Sequence, residues 1–212
     1  MKKLLIILFT AFAGNLYSPA QKDMSPREIL DRTAEHLTKS GGMTANFSTT
    51  AFKGTTPQDS ISGSIDLLGQ KYVMKTTAIC TWFDGQNQWN MMAGNEEVTL
   101  VSPTNEELQA TSPLAFMNIY KQGFNLSSKK SELRGIKTWD VTLKPKKKGQ
   151  EPSVITVSID RQTFTPLCIR VRNQGNWMRI SIKDFKKGIH FGDEHFKFPA
   201  AKYPGHEIID MR

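Results

Sequence analysis

The stretch that decides the fold is ICTWFDGQNQWNMM, residues 79–92. Ile79 to Phe83 is rich in β-branched and aromatic side chains, which favour strands. Asp84-Gly85 is a dipeptide typical of tight turns, and Gln88 to Met92 follows as a second strand-like run. The stretch therefore predicts a β-hairpin, and the neighbouring sequence extends it in both directions.

The alternation of apolar and polar side chains continues on both sides of this hairpin. It begins at Met43 and continues through further predicted strands at Ser60–Leu68, Lys71–Thr76, Glu97–Val101, Ile136–Leu143, Val154–Ile159, Leu167–Val171 and Met178–Ile182. The last three strands each have one apolar face, which is typical of antiparallel strands covered on one side. A sheet of roughly ten strands should curl. The sequence thus predicts a mainly β protein with helices (α+β), built on a curled antiparallel sheet.

Two segments have a helical pattern instead. Ser25-Pro26-Arg27-Glu28 has the composition of a capping box with proline at the first helical position, and an apolar stripe follows as far as Leu37. Thr104 to Glu107 is a second capping box, and Ser112-Pro113 opens a short apolar segment that extends to Tyr120. These two helical segments are the available covers for the apolar face of the sheet.

The N-terminus has the pattern of a secretory signal peptide. Lys2 and Lys3 precede an apolar run from Leu4 to Ala13, and Ser18-Pro19-Ala20 supplies small residues before Gln21. We therefore expect cleavage after Ala20, a signal peptide at residues 1–20 and a single exported domain at residues 21–212. No cysteine lies near the predicted cleavage site, so we expect no lipid anchor there.

The charge of the chain is basic, with 28 Lys+Arg against 20 Asp+Glu and a formal net charge of +8. A basic chain can indicate nucleic-acid binding. Export argues against that partner, so we expect no nucleic acid. The lysine-rich run from Lys144 to Lys148 most simply predicts a solvated hairpin tip, and contact with anionic lipid headgroups is the alternative.

No catalytic or metal-binding pattern is recognisable. The four histidines lack metal-ligand spacing, and no nucleophile elbow or phosphate loop occurs. Asp193-Glu194-His195 is expected to be a surface turn. Cys80 and Cys168 either pair in a disulfide or are buried free thiols. We therefore predict no metal, no cofactor and no enzymatic activity.

The composition is unusual in its number of large apolar and polarizable side chains, with nine Met, four Trp and twelve Phe. Methionine adapts its shape and is over-used at surfaces that accept varied apolar ligands. On a curved sheet with a short helical cover, such residues predict an apolar ligand cavity, with a packed core as the alternative for any one of them. The predicted cavity residues are Phe47, Tyr72, Met74, Trp82, Trp89, Met91, Leu114, Phe116, Met117 and Tyr120.

Several motifs carry a family resemblance. An aliphatic-rich strand ending in Asp-Gly, Ile79 to Gly85, is followed by the aromatic Trp89. Glu97-Val98 and the insert Ser112 to Met117 come next, and the chain closes with two further motifs, Phe196-Lys197-Phe198-Pro199 and Gly205 to Asp210. In this order, the motifs resemble the periplasmic outer-membrane lipoprotein carrier family, LolA, over essentially the whole chain after residue 20.

The resemblance implies an open, incomplete β-barrel with helices as a lid. Its cavity would hold the acyl chains of a lipoprotein that crosses the periplasm. The resemblance also implies cargo delivery by an inner-membrane ABC transporter of the LolCDE kind. A LolB-like outer-membrane receptor would accept the cargo in many bacteria, and the carrier would act as a monomer.

One departure from the family concerns the lid. The family often has Arg-Pro just before its third strand, where the Arg helps to hold the lid, but this chain has Leu68-Gly69-Gln70-Lys71-Tyr72 there. We therefore expect a lid held mainly by apolar contacts of Leu114, Phe116, Met117 and Tyr120. Two alternatives remain open: an exported apolar-ligand or lipid-binding protein of the same fold, and an exported hydrolase with an unrecognised site near Asp193 or His195.

Overall fold

The computed structural model describes residues 24–39, 41–105, 107–108 and 119–212. One helix, α1 (Pro26–Lys39), precedes twelve strands in these residues. The strands are β1 (Gly42–Lys53), β2 (Thr56–Leu68), β3 (Lys71–Thr76), β4 (Ile79–Phe83), β5 (Gln88–Met92), β6 (Glu97–Val101), β7 (Phe124–Leu133), β8 (Ile136–Pro145), β9 (Val154–Asp160), β10 (Pro166–Asn173), β11 (Asn176–Ile189) and β12 (Glu207–Asp210). Two single-turn 3₁₀ helices, Asp193–Phe196 and Ala200–Lys202, lie between β11 and β12. The predicted signal peptide lies outside the described residues.

All twelve strands form one sheet in the order β12-β6-β5-β4-β3-β2-β1-β11-β10-β9-β8-β7. Every described pair is antiparallel except β12, which runs parallel to β6. The two edge strands, β7 and β12, do not pair with each other, so the sheet is not closed into a barrel. This arrangement of strands with a helix confirms the predicted fold class.

The strand predictions differ from the structure mainly in the second half of the chain. β3, β4, β5 and β6 have the predicted bounds. β7 was not predicted, because Ser127 to Lys130 is a run of four polar residues with no alternation. A polar composition suits an edge strand, since charged side chains discourage pairing with another chain. β11 continues past Ile182 to Ile189, and β12 is a further strand that the pattern did not indicate.

α1 lies across one face of the sheet, called the helix-bearing face below. The backbone N–H of Glu28 donates to Ser25 Oγ at 3.2 Å, and Pro26 is the first helical residue. The Glu28 carboxylate contacts Arg32 at 3.2 Å, four residues along the helix. The buried side of the helix presents Ile29, Leu30, Thr33 and Leu37 to the sheet.

Two buried clusters lie under α1 on the helix-bearing face. The first core cluster joins Ile29 and Leu30 to side chains of β8, β9, β10 and the start of β7; its members are Ile29, Leu30, Tyr120, Phe124, Val141, Leu143, Ile155, Val157, Ile159 and Ile169. The second core cluster lies near the end of the helix and consists of Leu37, Met43, Leu67, Tyr72 and Phe83. α1 therefore bridges the two halves of the sheet.

The opposite face is covered by the chain that follows β11. Phe196 and Phe198 pack there with Val73, Trp82 and Val98, and these five residues are called the C-terminal cluster. His195 Nε2 lies 2.9 Å from Asp66 Oδ2 on β2, and its ring stacks on Phe191 at 4.4 Å. The expected surface turn is confirmed for Asp193 and Glu194, which are exposed, whereas His195 is half-buried because the neighbouring Phe196 packs in the C-terminal cluster.

The two cysteines are free thiols on β4 and β10, with four strands between them in the sheet. The structure thus decides against the disulfide alternative. Burial raises the pKa of both thiols, Cys80 and Cys168, and so disfavours their ionised, reactive form. No helix in the described ranges is long and apolar enough to cross a membrane, and within the same ranges no group of three His, Cys, Asp or Glu is placed to hold a metal ion.

Candidate functional site

Beyond the area that α1 covers, the helix-bearing face carries apolar side chains that water reaches. We call this surface the apolar strip; it consists of Phe47, Ile61, Met178 and Ile180, on β1, β2 and β11. Ile61 is 47% exposed and Met178 is 37% exposed. Thr49 lies opposite both Ile61 and Ile180 in the register, which places the strip on one surface, because alternate residues of a strand share a face.

A glycine gives Phe47 its place in the strip. Gly63 lies directly opposite Phe47 in the β1–β2 register. A Cβ atom added at Gly63 would lie 2.8 Å from the Phe47 ring and would also collide with the carbonyl of Lys75. The ring therefore lies over bare backbone, and any larger residue at position 63 would displace it.

Two of the other predicted cavity residues lie on the same face as the strip. Tyr72 is 2% exposed in the second core cluster, where its ring contacts Phe83 at 5.4 Å, and Met74 packs against the edge of that cluster. Met74 lies opposite Ile65, next to the β1–β2 pair. Phe47, Tyr72 and Met74 thus share one surface, from the strip to the second core cluster.

Three predicted cavity residues lie on the other face. Trp82 belongs to the C-terminal cluster, and Trp89 and Met91 pack against it. Trp82 is next to Phe83 in β4, and neighbouring residues of a strand point to opposite faces. The expectation that these three share an interior with Tyr72 is therefore corrected: they contact the returning C-terminal segment instead, with Trp82 edge-on to Phe198 at 5.4 Å.

A hydrogen-bonded row of polar side chains borders the second core cluster. The Tyr72 hydroxyl donates to Gln88 Oε1 at 3.0 Å, and Gln88 Nε2 donates to Asn90 Oδ1 at 3.1 Å. Thr81 Oγ1 donates to the same Asn90 oxygen at 3.0 Å. Burial raises the pKa of Tyr72 to about 12, so the phenol stays neutral and acts as a donor at physiological pH. The row gives the apolar surface a polar boundary on β4 and β5.

The predicted lid lies largely outside the described residues, including Leu114, Phe116 and Met117. Its two ends are described, and both are fixed. Leu108 packs against the second core cluster, and Tyr120 is 1% exposed in the first. The two described ends of the segment therefore contact the two core clusters of the helix-bearing face.

Polar contacts hold the second end of this segment to α1. The Tyr120 hydroxyl donates to Asp31 Oδ1 at 2.7 Å, and the Arg27 guanidinium donates to the Lys121 carbonyl at 3.2 Å. The pKa of Tyr120 is raised well above its usual range by burial and by the bond to Asp31. We expected a lid held mainly by apolar contacts, with no Arg bonded to a backbone carbonyl; at this end Tyr120 does pack in the first core cluster, but polar contacts add to that packing. An Arg does bond a backbone carbonyl here, although it comes from α1 and not from the β2–β3 turn.

Sequence reasoning missed Ile61, Met178 and Ile180 as site residues. The period-two pattern of Met178, Ile180 and Ile182 was the available signal, because it marks one apolar face of β11. What the pattern could not supply was the exposure of that face. The family Arg would be expected near Leu68. In this chain, Leu68 packs against the C-terminal cluster.

Among the matching solved structures, one with a TM-score of 0.60 shows that the fold is shared. A crystal structure of an uncharacterized conserved protein from Thermus thermophilus matches with a TM-score of 0.60 at 12% identity, over 87% of this chain and 98% of that chain. A LolA superfamily protein from Nitrosomonas europaea matches with a TM-score of 0.43 at 9% identity, over 82% of this chain and 98% of that chain. An outer membrane lipoprotein-sorting protein domain from Vibrio parahaemolyticus has a TM-score of 0.45 at 9% identity, over 82% and 96%.

Comparison with curated proteins gives no match for this sequence. The family model described as outer membrane lipoprotein carrier protein LolA matches residues 16–175. That range contains α1, all of β1 to β10 and two of the four strip residues, Phe47 and Ile61. The other two, Met178 and Ile180, lie beyond it on β11. The chain therefore belongs to the family of the outer membrane lipoprotein carrier protein LolA.

Proposed function

We propose that this protein carries lipoproteins from the inner to the outer membrane and holds their acyl chains against the apolar strip. The observation that carries the proposal is the exposure of the strip on the same face that α1 and the two core clusters occupy. A soluble protein keeps such a surface at a cost, because each apolar side chain left in water forgoes the gain of burial. Family membership supports acyl chains of lipoproteins as the ligand of this surface, in preference to the apolar surface of another folded protein.

The strip suits a ligand that must later be released. Each acyl CH₂ group taken out of water contributes about 0.8 kcal/mol, so a fully enclosed pair of chains would be held too tightly to transfer. A surface that is open on one side buries only part of each chain. We propose that residues 109–118, with Leu114, Phe116 and Met117, supply the other side as a lid when cargo is bound.

The rest of the proposed route follows from the family. The chain would be exported with cleavage after Ala20 and would act in the periplasm as a monomeric binding protein, not an enzyme. It would receive cargo from a LolCDE-like transporter and pass it on, where one exists, to a LolB-like receptor. Sequencing the N-terminus of exported protein tests the first step, and a start at Met1 would exclude it.

The binding proposal is tested with a fluorescent diacylated peptide and the same peptide without acyl chains, measured by anisotropy. The acylated peptide alone should bind. Replacing both Ile61 and Met178 by Glu should weaken binding at least about tenfold, because charges at the contact surface would have to be desolvated. Ile208→Glu on β12 is the matched control, since Ile208 is 43% exposed and lies away from the strip.

Two results would oppose the proposal. Equal binding by the double variant and the Ile208→Glu control would mean that the strip is not the site. Binding of free phospholipid or fatty acid without binding of the acylated peptide would favour the alternative, an exported apolar-ligand protein of the same fold with other cargo. Mass spectrometry of molecules that co-purify from the periplasm separates these cases directly, because triacylated peptides identify lipoprotein cargo.

A further inference from the structure

A cleft of about 840 Å³ opens on the helix-bearing face, between the start of α1 and the turns that follow β7 and β9. Its wall contains Trp139 and Phe164, whose rings lie 5.5 Å apart. Arg161 lies over Trp139 with 5.6 Å from its guanidinium carbon to the ring centre, and Arg32 lies over Phe164 at 5.5 Å. A guanidinium group thus lies over each of the two neighbouring rings.

The lining of this cleft is strongly cationic. Its charged side chains are one carboxylate, Asp160, and four cations: Arg32, Lys130, Lys137 and Arg161. The Asp160 carboxylate is engaged in its own turn, where its Oδ1 accepts hydrogen bonds from the backbone N–H groups of Gln162 at 2.7 Å and Thr163 at 3.3 Å. The cleft, called the basic cleft below, therefore presents a net positive field to a ligand.

Acidic groups just outside the lining do not cancel this charge. Glu28 contacts Arg32 at 3.2 Å, but both side chains are about half exposed, so water screens the pair. Glu132 lies opposite Lys137 in the β7–β8 register and does not line the cleft. Glu35 also acts on Arg32, but it is paired with Lys39 at 2.6 Å on the exposed side of α1. In the lining itself, four cations face one carboxylate.

The rim of the basic cleft is apolar. Ile136 is 38% exposed there, and Met24 also lines the opening. An exposed isoleucine beside a tryptophan would make no favourable contact with a small free anion. At a membrane surface this combination is favourable, because Trp sits at headgroup level and guanidinium and ammonium groups bind phosphate.

We propose that the basic cleft binds the phosphate headgroup of an anionic phospholipid and so docks the protein on anionic membrane surfaces. Arg161 offers paired N–H donors to the phosphate oxygens, and Lys137, whose backbone carbonyl accepts from the Arg161 backbone N–H at 3.0 Å, adds an exposed charge beside it. Arg32, which lies over the other ring, adds to the positive field of the cleft. Trp139 and Ile136 contact the boundary between headgroup and acyl chains. The site is separate from the apolar strip and goes beyond the carrier function proposed above.

The proposal is tested by co-sedimentation with vesicles of phosphatidylglycerol mixed into phosphatidylcholine, and with vesicles of phosphatidylcholine alone. The protein should sediment only with the anionic vesicles. Replacing Lys137 and Arg161 by Gln should weaken binding about 25-fold, since each charge near an anionic surface is worth about fivefold in affinity. Lys147→Gln with Lys148→Gln removes the same charge from the exposed β8–β9 hairpin tip, and should change binding less than about twofold.

Four results would overturn the proposal. The first three are equal loss in the hairpin-tip control, wild-type binding by the cleft variant, and equal binding to neutral vesicles. If the double cleft variant fails to fold, Lys137→Gln alone should weaken binding about fivefold. Brominated phosphatidylglycerol should quench tryptophan fluorescence in the wild type and much less in Trp139→Phe. A polyglutamate peptide that binds at the cleft in place of vesicles would indicate an acidic protein partner and would also overturn it.

This outcome can be separated from that of the carrier proposal. The cleft variant should bind the diacylated peptide as the wild type does, because none of the strip residues lines the cleft. Conversely, the Ile61→Glu and Met178→Glu variant should lose the peptide and keep sedimenting with anionic vesicles.

Discussion

The helix-bearing face is closed at the first core cluster and open at the apolar strip, although similar side chains line both regions. In the first core cluster, Ile29, Val141 and Ile159 are 0% exposed, whereas Ile61 in the apolar strip is 47% exposed. The difference is therefore one of cover and not of composition. It teaches that the same alternating strand pattern serves as a core where a helix lies on it and as a binding surface where none does.

The dimensions of α1 and of the sheet explain why part of the helix-bearing face is uncovered. α1 has 14 residues, so it is about 21 Å long at 1.5 Å per residue. Twelve strands spaced by about 4.8 Å extend for about 53 Å across the sheet, measured along its curve. One helix cannot cover such a surface. α1 covers β8 to β10 and reaches the second core cluster with Leu37, and the strip remains open between them.

The largest effect is expected from a substitution in the first core cluster. Val157→Asp places a carboxylate in the first core cluster, where Val157 is 1% exposed, and should lower the free energy of unfolding by at least about 5 kcal/mol. Ile61→Asp, in the strip, should stay folded because Ile61 is 47% exposed. Thermal melts followed by circular dichroism measure both. Cooperative melting of Val157→Asp near the wild-type temperature would show that the first core cluster is not tightly packed.

A smaller effect should separate the two faces of the sheet. Trp82→Ala leaves a void in the C-terminal cluster and should cost about 3–5 kcal/mol of stability. It should leave acylated-peptide binding intact at a temperature where the protein remains folded. Phe47→Ala should do the reverse, with weaker binding and little loss of stability. If Trp82→Ala weakened binding while the fold persisted, Trp82 would contribute to the ligand site after all.

The anchor of the insert gives an intermediate expectation. Tyr120→Phe removes the hydrogen bond to Asp31 and should lower stability by about 1.5–2 kcal/mol, the lower range for a bond to a charged group, because Asp31 is exposed. Denaturant titration measures this loss. Asp31→Asn retains an acceptor and should cost less; an equal cost for the two variants would mean that the bond itself contributes little.

The smallest expected effect depends on pH. An unfolded tyrosine ionises near 10, whereas Tyr72 in the folded protein has a pKa of about 12. Between these values the unfolded chain loses its proton while the folded protein keeps it, so stability falls as pH rises above 10. At about pH 11 the loss assigned to Tyr72 should be about 1.4 kcal/mol.

The matched variant for this prediction is Tyr72→Phe, which has no proton to lose at position 72. The stability difference between wild type and variant should therefore be constant below pH 10 and shrink above it. Chemical denaturation at a series of alkaline pH values measures the difference. A difference that stayed constant up to pH 12 would show that Tyr72 ionises alike in both states.

Local patterns in the sequence were sufficient for much of the fold. The hairpin at residues 79–92, the helix that begins at Pro26 and the bounds of β3 to β6 were all predicted, because turn dipeptides, caps and period-two alternation act over a few residues. β7 could not be predicted in the same way. Its polar run between Ser127 and Lys130 has no apolar face, and only its pairing with β8 makes it a strand.

The predicted cavity residues divide between the two faces of the sheet. Phe47, Tyr72 and Met74 lie on the helix-bearing face, while Trp82, Trp89 and Met91 contact the C-terminal cluster. The sequence could not distinguish them, since both faces of β4 carry aromatic residues. Alternation shows that Trp82 and Phe83 point in opposite directions, but not which direction leads to the helix.

Local sequence was enough for most of the strands, for α1, for the turns and for the apolar faces, because these depend on side-chain chemistry and on neighbours a few residues away. Tertiary structure alone decided which apolar surfaces are core and which are open. That outcome depends on where α1 ends, on the return of Phe196 and Phe198 to the sheet from the far end of the chain, and on the contact of Tyr120 with Asp31. Burial is a property of distant segments packed together, so no local pattern can specify it.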